Sequence, residues 1–417
     1  MKLASNTKNL EGWLKRSRVK SPLAIILGGS ANGLSFARSL GRRGVPTLLL
    51  DSDRLIGTYT RYGKVVLLPP ADEHPECWIS LLDFVASRLD TPGVLIPTSD
   101  VHSLLVSQHR DMFQKYFRFV VPEAPTMGRI VNKRLQYGIA RAAGIPIPKT
   151  DFPQSAEELR HLSPNLTYPC LLKPCISHSG RKRLSNRKVL VVNSQRELIS
   201  AYERLVGGGS PFMVQEIIPG EDSALYGYLA FWDAEGRERA WLTKQKLRQN
   251  PPYYGDGSLQ ITVEAPEVAE LSRRLLREFN YCGFVGVEFK FDARDSTYRL
   301  MEINPRTVAG NQLAISAGID FPWIGYQYLT GSDLDLAHTN AFRPFVKCVN
   351  EEWDVQAYLA LRKSGGLNLW RWLNSLRGSK ITIGAWDDPF PFIAGFWRLF
   401  RVCLHDVLTR LRHHQES

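Results

Sequence analysis

One stretch between residues 284 and 306 constrains the fold more than any other part of this 417-residue chain. Its alternating apolar and polar residues predict two strands, Phe284–Phe291 and Tyr298–Ile303, joined by a turn at residues 292–296. Turn residues between two such runs are typical of a β-hairpin, so the two strands are expected to pair.

Three oxygen-bearing side chains of this hairpin are candidates for a metal site. Residues two apart share a face of a strand, so Glu302 and Asn304 are expected on one side, and pairing places Glu288 opposite them. Carboxylate and amide oxygens are ligands that Mg²⁺ takes beside nucleotide phosphates. Arg306 follows as a cation suited to a phosphoryl oxygen or a carboxylate. The alternative, a surface hairpin with solvated acids, does not explain the complete string.

The string Glu302-Ile303-Asn304-Pro305-Arg306, preceded by Glu288 on the neighbouring strand, resembles the metal-binding hairpin of the ATP-grasp superfamily. The resemblance implies an α/β chain with an N-terminal Rossmann-like domain, an ATP-grasp fold of two α+β lobes, and a C-terminal extension that is helical and rich in aromatic residues. The expected domains are 1–123, 124–335 with a small lobe at about 150–222 and a large lobe at about 223–335, and 336–417.

Composition is that of an ordinary globular protein. A length of 417 residues indicates two to three domains, with 44% hydrophobic and 23% charged residues. Six cysteines without a Cys-x-x-Cys pair indicate neither a zinc site nor a disulfide framework, which fits a reduced cytoplasm. No secretory signal and no membrane-spanning helix are expected. The net charge of +12 favours an anionic partner, but no nucleic-acid-binding motif accompanies it.

The N-terminal part predicts a βαβ unit. Strand 23–27, the turn Gly28–Gly33, helix Leu34–Arg43 and strand 45–50 precede Asp51, which resembles the ribose-binding acid of a dinucleotide site. A Rossmann-type NAD-dependent oxidoreductase is therefore one alternative function. Ser30, at the middle glycine position of that fingerprint, argues against it. Further along, Ser99-Asp100 ends a strand and is read as a substrate contact or, with preference, as a helix N-cap.

The resemblance also implies nucleotide-binding residues. Lys133 lies in a predicted helix Met127–Ala143 before Gly-Ile-Pro-Ile-Pro-Lys-Thr and matches a phosphate-binding basic residue of the family, with a solvated helix lysine as the alternative. Lys173, at a strand end, matches the family's second lysine, which faces the phosphates and the adenine. The lid is expected at residues 177–187. The adenine is expected to lie along an extended segment formed by Gln215, Glu216, Ile217 and Ile218. The ribose is expected at Asp222, two residues past Gly220; the alternative is that Asp222 is an ordinary acid in a turn.

A loop from Lys246 to Gly255 contributes cations and tyrosines that suit a carboxylate substrate, with Arg248 preferred over Lys246. With Arg306, these are the predicted catalytic residues. Within the superfamily the chain looks most like the carboxylate–amine ligases that include D-aspartate ligase. The resemblance then implies amide formation through an acyl phosphate, with ATP and Mg²⁺, or Mn²⁺ in its place, as cofactors.

The expected partners are a small-molecule carboxylate and an amine, and a homodimer is a further candidate. Residues 333–417 carry no chemical motif but many aromatic residues, and a last helix is predicted at Ile393–Leu411. Arg398, Arg401 and Asp406 exclude a spanning helix. This segment is expected to lie on a membrane surface, on the enzyme body or on a subunit partner. A non-catalytic, membrane-associated ATP-binding scaffold is therefore the second alternative function, and a cytoplasmic location, at the membrane periphery or away from it, is expected.

Overall fold

The computed structural model describes residues 2–16, 21–176, 181–185, 187–206, 211–332 and 341–401. Residues 177–180 and 186 of the predicted lid (177–187) and residues 402–411 of the predicted last helix lie outside these residues.

A five-stranded parallel sheet forms the N-terminal part, in the order β3-β2-β1-β4-β5. Its central strand is buried along its whole length because its two faces pack on different layers, Ile25 with Trp78 on one side and Ile26 with Phe36 on the other. The predicted βαβ unit is confirmed. The strands are Ala24–Leu27 (β1), Thr47–Asp51 (β2), Lys64–Leu67 (β3), Gly93–Pro97 (β4) and Phe117–Arg118 (β5). The helices are Lys2–Arg16 (α1), Ala31–Arg42 (α2), Pro75–Ala86 (α3), Asp100–Gln108 (α4) and Arg110–Phe113 (α5).

The predicted helix Met127–Ala143 is two helices, Ala124–Val131 (α6) and Lys133–Ala142 (α7), and the prediction of one helix is wrong. Asn132 breaks it because its side chain accepts a hydrogen bond from the Arg134 amide, which caps α7. Lys133, expected one turn inside the helix, is instead the first residue of α7. Its amide donates to the Cys175 carbonyl at 2.9 Å, which joins the start of this helix to the next sheet.

A four-stranded antiparallel sheet in the order β6-β9-β7-β8 forms the small lobe. Leu172 packs under Leu198 and Tyr202, so its neighbour Lys173 points to the opposite face. The strands are Thr150–Asp151 (β6), Cys170–Pro174 (β7), Leu190–Val192 (β8) and Phe212–Glu216 (β9), and the helices are Ala156–Leu162 (α8) and Gln195–Val206 (α9).

A seven-stranded sheet in the order β14-β13-β10-β11-β12-β15-β16 forms the large lobe. Its strands are Leu225–Trp232 (β10), Glu238–Asn250 (β11), Asp256–Thr262 (β12), Gly283–Asp292 (β13), Thr297–Asn304 (β14), Lys347–Val349 (β15) and Lys380–Ile381 (β16). The helices are Pro266–Glu278 (α10), Asn311–Ala317 (α11), Phe321–Thr330 (α12), Glu351–Lys363 (α13) and Leu369–Ser375 (α14), followed by a helix at 390–401. The prediction of a loop starting at Lys246 is wrong, because β11 pairs with β12 as far as Asn250.

The C-terminal extension is part of this architecture. Its strand β15 pairs with β12, Leu259 opposite Val349, so the large sheet continues past the predicted boundary at residue 335. The domain division itself stays a prediction. Within the described part of the chain, no helix combines the length and hydropathy needed to cross a membrane.

A buried ion pair ties the extension to the N-terminal sheet. Arg38 Nε lies 2.9 Å from Asp388 Oδ2, and both side chains are almost fully buried. The Asp388 carboxylate also accepts from the Thr60 hydroxyl and the Arg61 amide, so all of its strong partners come from the N-terminal domain. The neighbouring Arg42–Asp387 pair, by contrast, is about half exposed.

We expect Asp388→Ala to lower the free energy of unfolding by about 3–5 kcal/mol, because it leaves the Arg38 guanidinium buried without its counter-charge. Asp387→Ala, the matched control, should cost no more than about 1 kcal/mol, because its partner remains solvated. Denaturant unfolding of both variants measures the difference. Equal effects would show that the buried pair does not hold the extension in place.

Candidate active site

The hairpin of β13 and β14 pairs as the alternation predicts. Glu288 lies directly opposite Glu302, and Gly286 lies opposite Asn304. Side chains of directly opposed residues in an antiparallel pair point to the same face, so the two carboxylates face the same space.

That space is a cleft between the small and the large sheet. Strand β7 and the segment after β9 form one wall, and β11, β13 and β14 form the other. Apolar side chains occupy one part and charged ones the rest. The lining side chains used below are Leu171, Leu225 and Met301, the lysines 133, 173, 188, 246 and 290, and the glutamates 216, 288 and 302.

Lysines outnumber acids in the lining by five to three, so the cleft favours an anionic ligand. The predicted Lys133 and Lys173 both lie in it.

The sequence analysis did not identify two further lysines of the cleft, Lys188 and Lys290. Lys290 is two residues from Glu288 on one strand, and the same period of two could have identified it. Lys188 gives no such signal.

Lys246 and Glu288 form an ion pair at 2.8 Å across the cleft wall. Burial favours the neutral form of Lys246, but the charge and hydrogen bond of Glu288, together with the Asp256 charge, outweigh it and raise its pKa. Lys246 therefore stays charged and compensates Glu288.

Glu302 is compensated by several lysines together. Its carboxylate lies 3.5 Å from Lys133 Nζ. Burial alone would raise the pKa of Glu302, but the charges of Lys133, Lys188 and Lys173 hold it well below its usual range. Glu302 is therefore ionised and able to act as a ligand to a cation.

Lys173 lies deep in the same cleft and donates to Gln215 Oε1 at 3.1 Å. Burial, and then the charge of Lys133, lower its pKa to about 7. Gln215 was predicted to flank the adenine, but the structure places it behind Lys173. Its amide nitrogen donates to Thr150 Oγ1 and Tyr137 Oη, which fixes the orientation of the acceptor oxygen.

Ion pairs and hydrogen bonds join the two walls. Lys188, from the small lobe, lies 2.7 Å from Asp256 of the large lobe. Desolvation alone would raise the pKa of Asp256, but the charge and hydrogen bond of Lys188 and the Lys246 charge lower it to about 2. Lys290 Nζ donates to the Gly220 carbonyl at 2.8 Å, at the joint between the lobes.

The segment after β9 lies against the apolar end of the cleft. Ile217 and Ile218 line it, opposite Leu225 and Met301, and Glu216 lies beside them. Among the described residues, neither isoleucine makes a hydrogen bond between backbone groups. The backbone amides and carbonyls of Ile217 and Ile218 can therefore hydrogen-bond the edge of a flat heterocycle that lies between the apolar side chains.

Asp222 and Arg248 are predicted site residues that do not line the cleft and are engaged by other parts of the protein. Asp222 accepts from the Gln249 amide at 2.9 Å, from its side chain at 2.8 Å and from the Tyr253 amide, so its carboxylate orders the end of β11. Arg248 is buried and binds both oxygens of Asp354, at 2.8 and 2.6 Å. Sheet irregularities on either side of Arg248 turn it away from the direction of Lys246, which simple alternation could not predict.

Arg306 belongs to a contact between domains. Its Nε lies 2.8 Å from Asp100 Oδ1, and its Nη2 donates to Asn304 Oδ1 at 3.2 Å. The Asn304 amide oxygen, a predicted metal ligand, is thus held by Arg306 here, and its nitrogen points to Glu302. Ser99 caps α4 by accepting from the His102 amide, as the preferred interpretation predicted.

The donor set fits a hard divalent cation. Glu288 and Glu302 offer carboxylate oxygens on one face, and the described residues contain no group of three or more His, Cys, Asp or Glu side chains able to hold a metal alone. Such a pair suits Mg²⁺, which is commonly bound by one or two carboxylates and completes its shell with water and substrate phosphates.

The N-terminal glycine-rich turn is filled by the protein's own groups. Asp51 Oδ2 accepts the Gly29 amide, and the Gly29 carbonyl accepts the Gly57 amide at 2.7 Å. Asn32 donates to the carbonyls of Thr98 and Thr307, which ties this turn to the large lobe. Asp51, the acid that would bind the ribose of a dinucleotide, is therefore already engaged within the protein.

Comparison with known proteins agrees with this geometry. A family model described as "ATP-grasp in the biosynthetic pathway with Ter operon" matches residues 211–351. The chain is 26% identical over 305 residues to D-aspartate ligase of Enterococcus faecium, covering 68% of this chain and 71% of that protein. It is 30% identical over 303 residues to a formate-dependent phosphoribosylglycinamide formyltransferase of Ignicoccus hospitalis, covering 69% of each.

Solved structures share the fold. The ADP complex of an N5-carboxyaminoimidazole ribonucleotide synthetase superposes with a TM-score of 0.62 at 15% identity, over 83% of this chain and 86% of the other. A biotin carboxylase from Campylobacter jejuni gives 0.59 at 15% identity, over 78% and 74%. The predicted fold class is confirmed.

We expect Arg248→Ala to lower the melting temperature clearly, because it leaves Asp354 buried without its ion-pair partner. Arg239→Ala is the matched control, since its partner Asp233 keeps a second arginine, Arg237. Differential scanning calorimetry measures both. An Arg248→Ala protein with unchanged melting but lost turnover would instead support the predicted catalytic role of this arginine.

Proposed function

The chain belongs to the ATP-grasp family and is an ATP-dependent carboxylate–amine ligase, and from that premise we propose how its cleft binds and activates the substrates. The observation that carries the proposal is the pair of opposed carboxylates, Glu288 and Glu302, set among the lysines of one cleft. The NAD-dependent alternative is wrong, because family and fold both point to the ligases.

We propose that the adenine lies between Leu171 and Met301, with its edge at the backbone of Ile217 and Ile218. The support is the apolar end of the cleft and the absence of competing backbone hydrogen bonds at these two residues, within the part of the chain described. The triphosphate then extends toward the lysines. Asp222, with its oxygens already accepting three hydrogen bonds, orders β11, and any contact with the ribose hydroxyls would be additional.

Lys133, Lys173 and Lys188 are proposed to bind the phosphates. Without nucleotide these lysines compensate Glu302. Phosphates would take over as their partners, which releases the carboxylates for a divalent cation. Charge neutralisation by buried, pre-positioned cations is the main contribution a protein makes to phosphoryl transfer.

Glu288 and Glu302 are proposed to hold Mg²⁺, with Asn304 joining them when Arg306 turns to the substrate. When bound, the cation neutralises charge on the phosphoryl oxygens. Mn²⁺ in this place stays a prediction.

In the proposed reaction, a carboxylate oxygen of the acid attacks the γ-phosphorus of ATP, and ADP leaves with the electrons of the broken P–O bond. The amine nitrogen then attacks the acyl carbon, phosphate leaves, and the nitrogen loses a proton to give the amide. Arg306, held by Asp100, and Lys246, paired with Glu288, are proposed to stabilise the developing negative charge. In the nucleotide-free protein the Lys188–Asp256 pair joins the two lobes, and closure of the lobes over the substrates is proposed to limit access of water to the acyl phosphate.

Small carboxylic acids are the proposed first substrates, since two relatives are named for aspartate ligation and for formate dependence. A panel of acids, each with and without a panel of amines, tests this by ADP release. The supporting result is release that depends on both an acid and an amine. A homodimer and a cytoplasmic location stay predictions.

We expect Glu302→Gln to reduce the rate of amide formation by at least about 100-fold. The substitution removes the negative charge of a proposed Mg²⁺ ligand, and this charge is needed only when the phosphates and the cation are bound. Glu264→Gln, an exposed acid outside the cleft, is the control and should keep full activity. Coupled assay of ADP release and mass spectrometry of the product measure the effect. Near-normal turnover of Glu302→Gln would contradict the metal assignment.

Nucleotide binding at pH 8 should take up close to one proton. Free Lys173, with a pKa of about 7, is largely neutral at that pH, and phosphate charge raises the pKa so that the bound form is protonated. Affinity for ATP should therefore fall as the pH rises above 7. Calorimetry in two buffers of different ionisation enthalpy measures the uptake. Lys173→Arg, which stays charged throughout, should abolish it, and an unchanged uptake would assign the proton to another group.

A further inference from the structure

The helix at 390–401 presents its apolar side chains to solvent. The small or charged residues Gly395 and Arg398 face the protein, while the large apolar ones face outward. Phe396 is 59% and Trp397 58% exposed, which is far from the burial such side chains reach in a core. The outward side chains, here called the aromatic face, are Trp386, Phe390, Phe392, Ile393, Phe396, Trp397 and Phe400.

This orientation is fixed by specific contacts. Arg398 Nη2 lies 2.6 Å from Glu352 Oε2. A Cβ at Gly395 would come within 3.2 Å of the same carboxylate, so the helix approaches the protein closely at that point. The helix is thus held by its polar and small side, and the aromatic face is left without a protein partner among the described residues. Contiguous exposed apolar surface of this kind marks an interaction site.

In the described part of the extension, acids are engaged by the protein while several cations are exposed. The acids of its described part bind groups of the protein: the Glu351 carboxylate accepts the amides of residues 382–384, and Glu352, Asp354, Asp387 and Asp388 form ion pairs. Those ion pairs are Glu352–Arg398, Asp354–Arg248, Asp387–Arg42 and Asp388–Arg38. The exposed cations of the extension include Arg362, Arg371, Arg377, Lys380 and Arg401.

Exposed aromatic side chains together with exposed cations, and acids that are already paired, suit an anionic lipid surface. Tryptophan and phenylalanine insert at the level of the headgroups, and nearby arginines and lysines attract the anionic ones. A second copy of the chain fits less well. A two-fold contact places the same patch on both sides, so the cations of one copy would face those of the other.

We propose that the aromatic face docks this protein on an anionic membrane surface, parallel to the bilayer and without spanning it. The inference is independent of the proposed chemistry, since no residue of the aromatic face lines the cleft. Its consequence is that the acid or the amine is used at a membrane.

The test is flotation of the full chain with vesicles of phosphatidylcholine, with and without phosphatidylglycerol. We expect flotation with the anionic vesicles, weaker at high salt, and little with pure phosphatidylcholine. The double variant Phe396→Ser/Trp397→Ser should lower the ratio of bound to free protein by more than about tenfold, because two aromatic side chains lose their apolar contact. Phe345→Ser, an exposed phenylalanine outside the aromatic face, is the matched control and should bind normally.

Unchanged ADP release by the double variant shows that it is folded. Absence of flotation by the wild-type chain, or equal flotation of the double variant, would overturn the proposal. Equal flotation with neutral vesicles would overturn the role of the cations. A dimer in light scattering that the double variant loses, without vesicle binding by either protein, would assign the aromatic face to contact between copies.

Discussion

Charge compensation within the cleft is the constraint on which the site depends. Two carboxylates directly opposed on β13 and β14 would repel each other if left alone in a buried space. Lys246 at 2.8 Å from Glu288, and Lys133 with its neighbours around Glu302, remove that repulsion and leave an excess of positive charge. The cleft is therefore arranged for a ligand with several negative charges that brings its own cation, and the same groups that stabilise the empty site bind the nucleotide in the proposed reaction.

The N-terminal sheet is joined to the large lobe and to the extension by ion pairs as well as by a shared apolar cluster, in which Ala24 and Phe36 pack with Tyr326 and Leu329. Asp100 reaches from the N-terminal sheet to Arg306 of the large lobe, and Arg38 reaches Asp388 of the extension. Buried ion pairs add little net stability compared with apolar packing, but breaking one is costly, so they fix which parts of the chain meet. The extension thereby contacts the N-terminal sheet as well as β12, and it makes the large lobe larger than the boundary at residue 335 suggests.

Local patterns were enough to find the centre of the site but not its surroundings. Glu288 and Glu302 follow from a period of two along strands that pair through a short turn, and the βαβ unit follows from buried apolar runs. Lys188 could not be found in this way, since its partner Asp256 lies 68 residues further along the chain. Asn132 did carry a signal, being a good N-cap residue before a helical run, but the apolar periodicity continued through it and indicated one helix.

Two cations of strand β11, Lys246 and Arg248, contact different parts of the protein. The irregular pairing around Arg248 changes the direction of its side chain, so Lys246 faces Glu288 in the cleft while Arg248 faces Asp354 in the extension. The contact that anchors the extension is therefore two residues from a side chain proposed to act on substrate. If the aromatic face rests on a membrane, β11 and its buried Arg248–Asp354 contact are part of the packed connection between the cleft and that surface. A rigid connection of this kind would hold the mouth of the cleft in one orientation toward the bilayer, which suits a substrate presented there.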